Sequence, residues 1–435
     1  MQTFQFTRFV CFFIISIYFT KVPLSHEEIA SWEMLLFISG GLSYFWVTGI
    51  LQSFLPLSQR SMAFAQHKRT DSKSPEIFNA FLLLLSFSLA LAMLMLLIFN
   101  YTAAHVTAPK IPFPGLLIIY FVLSNSSSLI EHIYLIQNRP LHIFWYGVIS
   151  TILQILGVCI PIMLGMGLEY AVWGLIVVSA MRFLFLMYLL YLHAEFKLSM
   201  PFILNNLYVG YPIMFSALLS GSSQYIDSLI ATIVFDPSRF TVFRYGCKEL
   251  PFVIMMTSGL HNALLPAFSI KKNIPDILAD IKRRSLRQMH VLFPLSMIIM
   301  FFSKVLYGRF FFTPDYYRSA DVFMVYQLLI VSRVLFPHTI LIGLKKTRIL
   351  MWAAIVQLAL NIPISFLFTI KYGVVGIALG TGLVHILEKY FLLWYNYKKL
   401  GIAPQQYTPI KWYIIYTVLI TIVFRVIDTR LFYIQ

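Results

Sequence analysis

The chain is 435 residues long, 59% hydrophobic and only 11% charged, with a mean hydropathy of +0.80. Soluble domains carry about 25% charged residues, so this balance excludes a soluble globular protein and indicates a polytopic membrane protein. The net charge of +16 is not a nucleic-acid signature, because the basic residues sit in short loops between apolar runs, the pattern of positive-inside topology.

A membrane span takes about 20 mainly apolar residues. On that measure thirteen spans are expected, near 3–20, 34–57, 77–99, 113–136, 142–165, 170–192, 208–234, 249–270, 288–308, 319–343, 349–370, 373–396 and 412–430. The third is the cleanest, with no charge between Ile77 and Pro109, whereas Arg8 interrupts the first. That first run lacks a basic leader and a small-residue cleavage site, so it reads as a retained span. The connecting loops leave no room for a folded extramembrane domain. With the N-terminus inside, the cytoplasmic loops hold 18 Lys and Arg and the opposite side 9, which favours a cytoplasmic N-terminus. Cys11, Cys159 and Cys247 have no metal-ligand or disulfide spacing, and no cofactor or metal is expected.

The chain echoes itself. HIYLIQNRPLHI from His132 resembles HTILIGLKKTRI from His338, an offset of 206. EYAVWGLI from Glu169 resembles KYGVVGIA from Lys371, and Pro161 and Pro363 keep the same offset of 202. Spans four to six therefore repeat spans ten to twelve in the same membrane direction. The expected fold is all-α, with two six-helix lobes related by a pseudo-two-fold along the membrane normal and one extra C-terminal span. Residues 1–200 form the first lobe, 201–400 the second, and 401–435 a cytoplasmic linker and thirteenth span.

The organising stretch is Tyr211 to Lys272, two expected spans joined by the polar elbow DPSRFTVFRYGCKELP. Asp227 is a lone carboxylate inside the first of these, and an acid or base placed in hydrocarbon marks a transport path by default. Ser216, Ser220, Gly221, Ser222 and Ser223 loosen the same span, and Pro161, Pro294 and Pro363 are candidate bends.

FRYGCKELP, from Phe243 to Pro251, together with TRFVCFFIISIYFTK and LSHEEIASWE at the N-terminus, resembles the bacterial polysaccharide flippases. These are the O-antigen and capsule repeat-unit exporters of the multidrug/oligosaccharidyl-lipid/polysaccharide superfamily. The resemblance covers nearly the whole chain. It implies a V-shaped transporter that moves an undecaprenyl-diphosphate-linked oligosaccharide from the inner to the outer leaflet through a cationic central cavity. It also implies an Arg in the first span, a position that Arg8 matches; the second span lacks the acid some relatives carry. The implied location is the bacterial inner membrane, and the implied partners are membrane lipids, the lipid-linked oligosaccharide and a polysaccharide polymerase.

A dianionic diphosphate cannot cross about 30 Å of hydrocarbon unaided, so the residues of interest are buried cations. Arg suits the task because its planar fork binds oxyanions bidentately and stays charged. Arg333, deep in LLIVSRVLF, is the first candidate; the competing reading is a structural ion pair. Arg8 competes with topological anchoring. Arg244 and Lys248, four apart, share a face at the outer mouth if the helix begins early; the competing reading is a solvated loop containing Glu249. Arg182 is a buried cation without motif context. Asp227 and Glu131 are the candidates for a coupling proton or sodium ion, against the readings that Asp227 neutralises an Arg and that the Glu131–His132 pair is structural. Glu388 and Lys389, and Arg425 and Asp428, read as local pairs outside the site.

Nucleotide-binding and hydrolase motifs are absent, so an enzyme is not expected. A polysaccharide polymerase or ligase would need a long outer loop that this chain lacks. The alternatives to an oligosaccharide flippase are a multidrug/cation antiporter and a peptidoglycan-precursor flippase of the same superfamily; the excess of buried cations over acids argues against a cationic drug.

Overall fold

The computed structural model describes residues 2–65, 73–105, 112–248, 251–264, 268, 273–344 and 346–427. Among them the chain forms helices and no strand, with one isolated bridge joining Ser74 and Ala194. A helix stands at each of the thirteen expected spans. Ten are long and apolar enough to cross a bilayer, eleven when the bent pair Ser319–Arg333 and Pro337–Gly343 is taken as one. Outside that count stand Gln2–Lys21, whose first two turns carry Gln, Thr and Arg, and Pro251–Leu264, the described part of the eighth expected span.

The chain divides into two compact units, Met1–Gly221 and Ser222–Gln435. The first contains α1 (Gln2–Lys21), α2 (His26–Ala65), α3 (Pro75–His105), α4 (Pro114–Ser127), α5 (Leu129–Ile136), α6 (Pro140–Met163) and α7 (Leu168–His193). The boundary falls within α8 (Met200–Val234). The second unit continues with α9 (Pro237–Gly246), α10 (Pro251–Leu264), α11 (Ile274–Val305), α12 (Ser319–Gln327), α13 (Ile330–Arg333) and α14 (Pro337–Gly343). It ends with α15 (Thr347–Tyr372), α16 (Val374–Leu400), α17 (Pro404–Tyr407) and α18 (Ile410–Ile427).

The internal repeat is visible within each unit. In the first, the fourth span is broken at Ser128 into α4 and α5 and is followed by the antiparallel pair α6–α7. In the second, the corresponding span is broken into α12, α13 and α14, with a 45° bend, and is followed by α15–α16. The pairs close through small residues. A Cβ on Gly174 would collide with the backbone of Gly157, and one on Gly376, its repeat equivalent, with the backbone of Phe368. Lipid tails are as apolar as Leu, so van der Waals contact at such positions, rather than the hydrophobic effect, holds membrane helices together. Pro161, Pro294 and Pro363 all lie inside helices, as expected.

One expectation fails at the elbow. It is not a loop but the ten-residue helix α9, started by Asp236, whose side chain accepts the Arg239 amide hydrogen bond at 2.9 Å, with Pro237 in the first turn. α9 ends at Gly246, before Lys248, and the next helix starts at Pro251. Arg244 and Lys248 therefore do not share a helical face.

Candidate functional site

Asp227 is wholly buried in α8 and is the hub of a polar cluster drawn from three distant segments of the second unit. Tyr326, from α12, donates its hydroxyl to Oδ2 at 2.7 Å. Thr381, from α16, stands 2.6 Å from Oδ1, and Asn361, from α15, donates its amide there at 3.2 Å. Asn361 Oδ1 in turn lies 3.0 Å from Thr381 Oγ1 and 2.9 Å from Ser365 Oγ. Ser365 Oγ also stands 3.4 Å from Thr381 Oγ1 and 3.5 Å from the Ile377 carbonyl.

The chemical type of these atoms shows what such an arrangement can do. Asp227 Oδ1, Asn361 Oδ1, Thr381 Oγ1, Ser365 Oγ and the Ile377 carbonyl form a linked group of oxygens, to which the two hydroxyls and the Asn361 amide bring protons. A group of hard oxygens around one carboxylate is of the chemical type that binds cations. Helix geometry supplies the register: Asn361 and Ser365 are one turn apart on α15 and face Ile377 and Thr381, one turn apart on α16. Close approach is possible because Gly380 presents no Cβ to Ser365.

Arg244 enters this cluster from α9, donating to Ser228 Oγ at 3.2 Å beside Asp227. Lys248 lies over the Tyr245 ring, 4.8 Å from its centroid. The FRYG string is itself a packing element. Phe243 and Tyr245 are wholly buried, Tyr245 stacks on Phe312 at 4.6 Å, and a Cβ on Gly246 would run into the Ser319 carbonyl and the Val322 side chain. Arg333 closes α13 at the break of the bent span and is half-buried, in electrostatic reach of His385 and Lys389.

In the first unit, Arg8 and Glu131 are brought together with Arg182, the buried cation that had no motif context in the sequence. The three line one polar pocket with Cys11, Tyr146 and Gln154, and its free volume of about 30 Å³ has room for about one water. Arg182 donates to the Ser150 carbonyl at 3.0 Å and to Gln154 Oε1 at 2.6 Å. No described ion pair of 4.0 Å or less joins Glu131 to either arginine, so the charges face a shared space rather than one another. His132 is buried, with Nδ1 3.2 Å from the Ser128 carbonyl, a bond within its own turn. Glu388 and Lys389 do pair, at 3.5 Å, but within a larger cluster described below. Glu249 and Asp428 lie outside the described residues.

The family model described as lipid II flippase MurJ matches residues 47–433. The chain belongs to the MurJ lipid II flippase family. It is a membrane transporter and not an enzyme. The structure entitled "Lipid II flippase MurJ, inward closed conformation" matches with a TM-score of 0.61 at 18% identity, covering 97% of this chain and 91% of that one. An inward-facing multidrug resistance MATE family transporter of the MOP superfamily matches with a TM-score of 0.65 at 12% identity, over 97% and 95%. A MOP superfamily transporter from Pyrococcus furiosus, whose title reports a binding pocket of reversed polarity, matches at 0.59 and 13% identity, over 92% and 94%. At such identities the likeness establishes the fold, that of MOP-superfamily transporters. No curated protein sequence matches. The superfamily expected from the FRYGCKELP resemblance is upheld, and the MurJ match falls on the peptidoglycan-precursor branch, held above as an alternative, rather than on the O-antigen and capsule exporters.

Proposed function

We propose that this transporter flips an undecaprenyl-diphosphate-linked peptidoglycan precursor of the lipid II type across the bacterial inner membrane, and that it couples flipping to a monovalent cation bound at Asp227. The observation that carries the substrate assignment is the MurJ family match over 47–433. The oxygen cluster around Asp227 supports the coupling: it is buried, contains one carboxylate, and is assembled from α8, α15 and α16, so its occupancy bears on how three spans pack. Sodium fits a cluster of several oxygens better than a proton does, since a proton satisfies only one of them.

Arg8, exposed on α1, and Arg333, half-buried at a helix break, are the cations assigned to the diphosphate. Arg244, drawn to Ser228, balances the Asp227 carboxylate while the cation site is empty, and Lys248 rests on Tyr245. Glu131, facing the water-sized pocket with Arg8 and Arg182, serves as charge balance for them when no substrate is present.

The test is flipping in proteoliposomes of fluorescent lipid II and, in parallel, of a diphosphate-linked oligosaccharide without peptide, each with and without a sodium gradient. Sodium-stimulated transport of lipid II alone is the expected result. Transport of the oligosaccharide alone would return the chain to the polysaccharide reading, and indifference to sodium would remove the coupling role from Asp227.

A further inference from the structure

The second unit contains a ring of three polar side chains, His338, Glu388 and Lys389, that is assigned neither to the lipid diphosphate nor to the Asp227 site. Glu388 on α16 is buried, with a side chain 6% exposed. Its Oε1 lies 3.0 Å from His338 Nε2 and its Oε2 3.5 Å from Lys389 Nζ. Lys389 Nζ is in turn 2.8 Å from His338 Nδ1, which closes a ring of three side chains. Around the ring stand His385, bonded to Gln357 of α15 at 3.2 Å, Arg333 of α13, and His261 of α10, bonded to Thr339 at 2.7 Å. These six titratable or charged groups are the ones that feel one another here.

The ring has one consistent assignment of hydrogens. An ammonium only donates, so His338 Nδ1 accepts from Lys389; the ring proton then sits on Nε2 and is donated to the Glu388 carboxylate. The triad is neutral overall: one ammonium, one carboxylate, one neutral imidazole. A proton added to His338 at Nδ1 would set an N–H against the Lys389 ammonium, two donors at 2.8 Å with no acceptor between them. Protonation and the Lys389–His338 bond are therefore mutually exclusive. His338 is also the more exposed of the ring's two proton acceptors, its side chain being 32% exposed against 6% for Glu388.

The position of His338 turns this chemistry into a mechanical link. It is the second residue of α14, directly after the break at Leu335–Phe336, where the bent span turns through 45°. The ring ties that post-break segment to α16, and Asn396 Nδ2, 3.4 Å from the Pro337 carbonyl, adds a second tie one residue away.

We propose that His338, Glu388 and Lys389 form a proton-binding site separate from the cation site at Asp227, in which uptake of one proton at His338 Nδ1 breaks its bond to Lys389, leaves His338 held to α16 through Glu388 alone, and so resets the contact between the post-break helix and α16. The site requires neither lipid II nor sodium, so it stands or falls independently of the proposed transport reaction.

The full-length protein in lipid nanodiscs, labelled with 15N-histidine, tests it by NMR as the pH is lowered from about 8 to about 5, the range over which an imidazole titrates. One resonance, missing in His338→Gln, should begin as the Nε2–H tautomer and become doubly protonated. Spin labels at Leu344 and Trp394 should show a changed distance over the same range in the wild type and none in His338→Gln. Should that variant not fold, Lys389→Met supplies the assignment, because it removes the donor to Nδ1 and must alter the same resonance. A His338 imidazole that keeps one protonation state throughout, that starts as the Nδ1–H tautomer, or whose titration leaves the label distance unchanged would overturn the proposal.

Discussion

Thr381 Oγ1 stands 2.6 Å from Asp227 Oδ1, joining two residues 154 positions apart in the chain. A hydroxyl bonded to a buried carboxylate is a strong tie, of about 1.5–3 kcal/mol for hydrogen bonds to charged groups. Thr381→Val keeps the side-chain shape and removes this bond and one cage oxygen. The expected outcome is a lower melting temperature and sodium stimulation shifted to at least about tenfold higher sodium, a factor that corresponds to about 1.4 kcal/mol. Thermal unfolding across a sodium series measures both.

Asp227→Asn removes the charge but nearly preserves the volume. Sodium should then no longer raise the melting temperature, because a ligand stabilises only through the state it binds. A sodium-dependent melting curve that survives in Asp227→Asn would show that the ion binds elsewhere.

Arg8 and Arg182 line the same pocket yet should respond oppositely. Arg182 is committed to the Ser150 carbonyl and Gln154 Oε1, so Arg182→Met should destabilise the first unit by about 2–4 kcal/mol, with the Gln154 side chain left unsatisfied. Arg8, exposed on α1, should leave the melting temperature unchanged in Arg8→Met while flipping falls at least about tenfold. Parallel melting and flipping assays on the two variants separate the structural arginine from the functional one.

Gly174→Ala should loosen the α6–α7 pair. The new Cβ would meet backbone atoms of Gly157, which have no rotamer to escape into, so about 1–3 kcal/mol of overpacking is expected. Gly115→Ala is the control, since a Cβ there has nothing within 4 Å. A melting temperature equally unaffected in both variants would show that close helix contact at Gly174 does not limit stability.

Arg333→Ala should reduce flipping of the diphosphate lipid without abolishing sodium stabilisation, because Arg333 closes α13 rather than joining the Asp227 cluster. Flipping rate and sodium-dependent melting, measured on the same variant, distinguish a role in lipid recognition from one in ion binding.

Spans, repeat and superfamily were legible in the sequence because each is a linear property: about 20 apolar residues per span, and two offsets, 206 linking His132 to His338 and 202 linking Pro161 to Pro363. Asp227 was also legible, since one acid among apolar neighbours stands out without any knowledge of contacts. Its partners were not. Asn361, Ser365, Thr381 and Tyr326 are ordinary polar residues in membrane helices, and nothing local separates one that meets a carboxylate from one bonded to its own preceding turn, as Thr257 is to Val253. Arg182 stood out as a buried cation, but its partner did not, because Gln154 lies on a different helix. FRYGCKELP illustrates the converse. Its charges stood out as a site, but its buried residues, Phe243, Tyr245 and Gly246, serve packing, and α9 ends before Lys248 can join Arg244. Composition and periodicity determined that this chain crosses a membrane in two repeated halves with charged residues inside, because hydrocarbon penalises every polar residue individually. Which polar residues meet, and which serve only packing, the tertiary structure alone decided, because hydrogen bonds depend on ångström distances between segments a hundred or more residues apart.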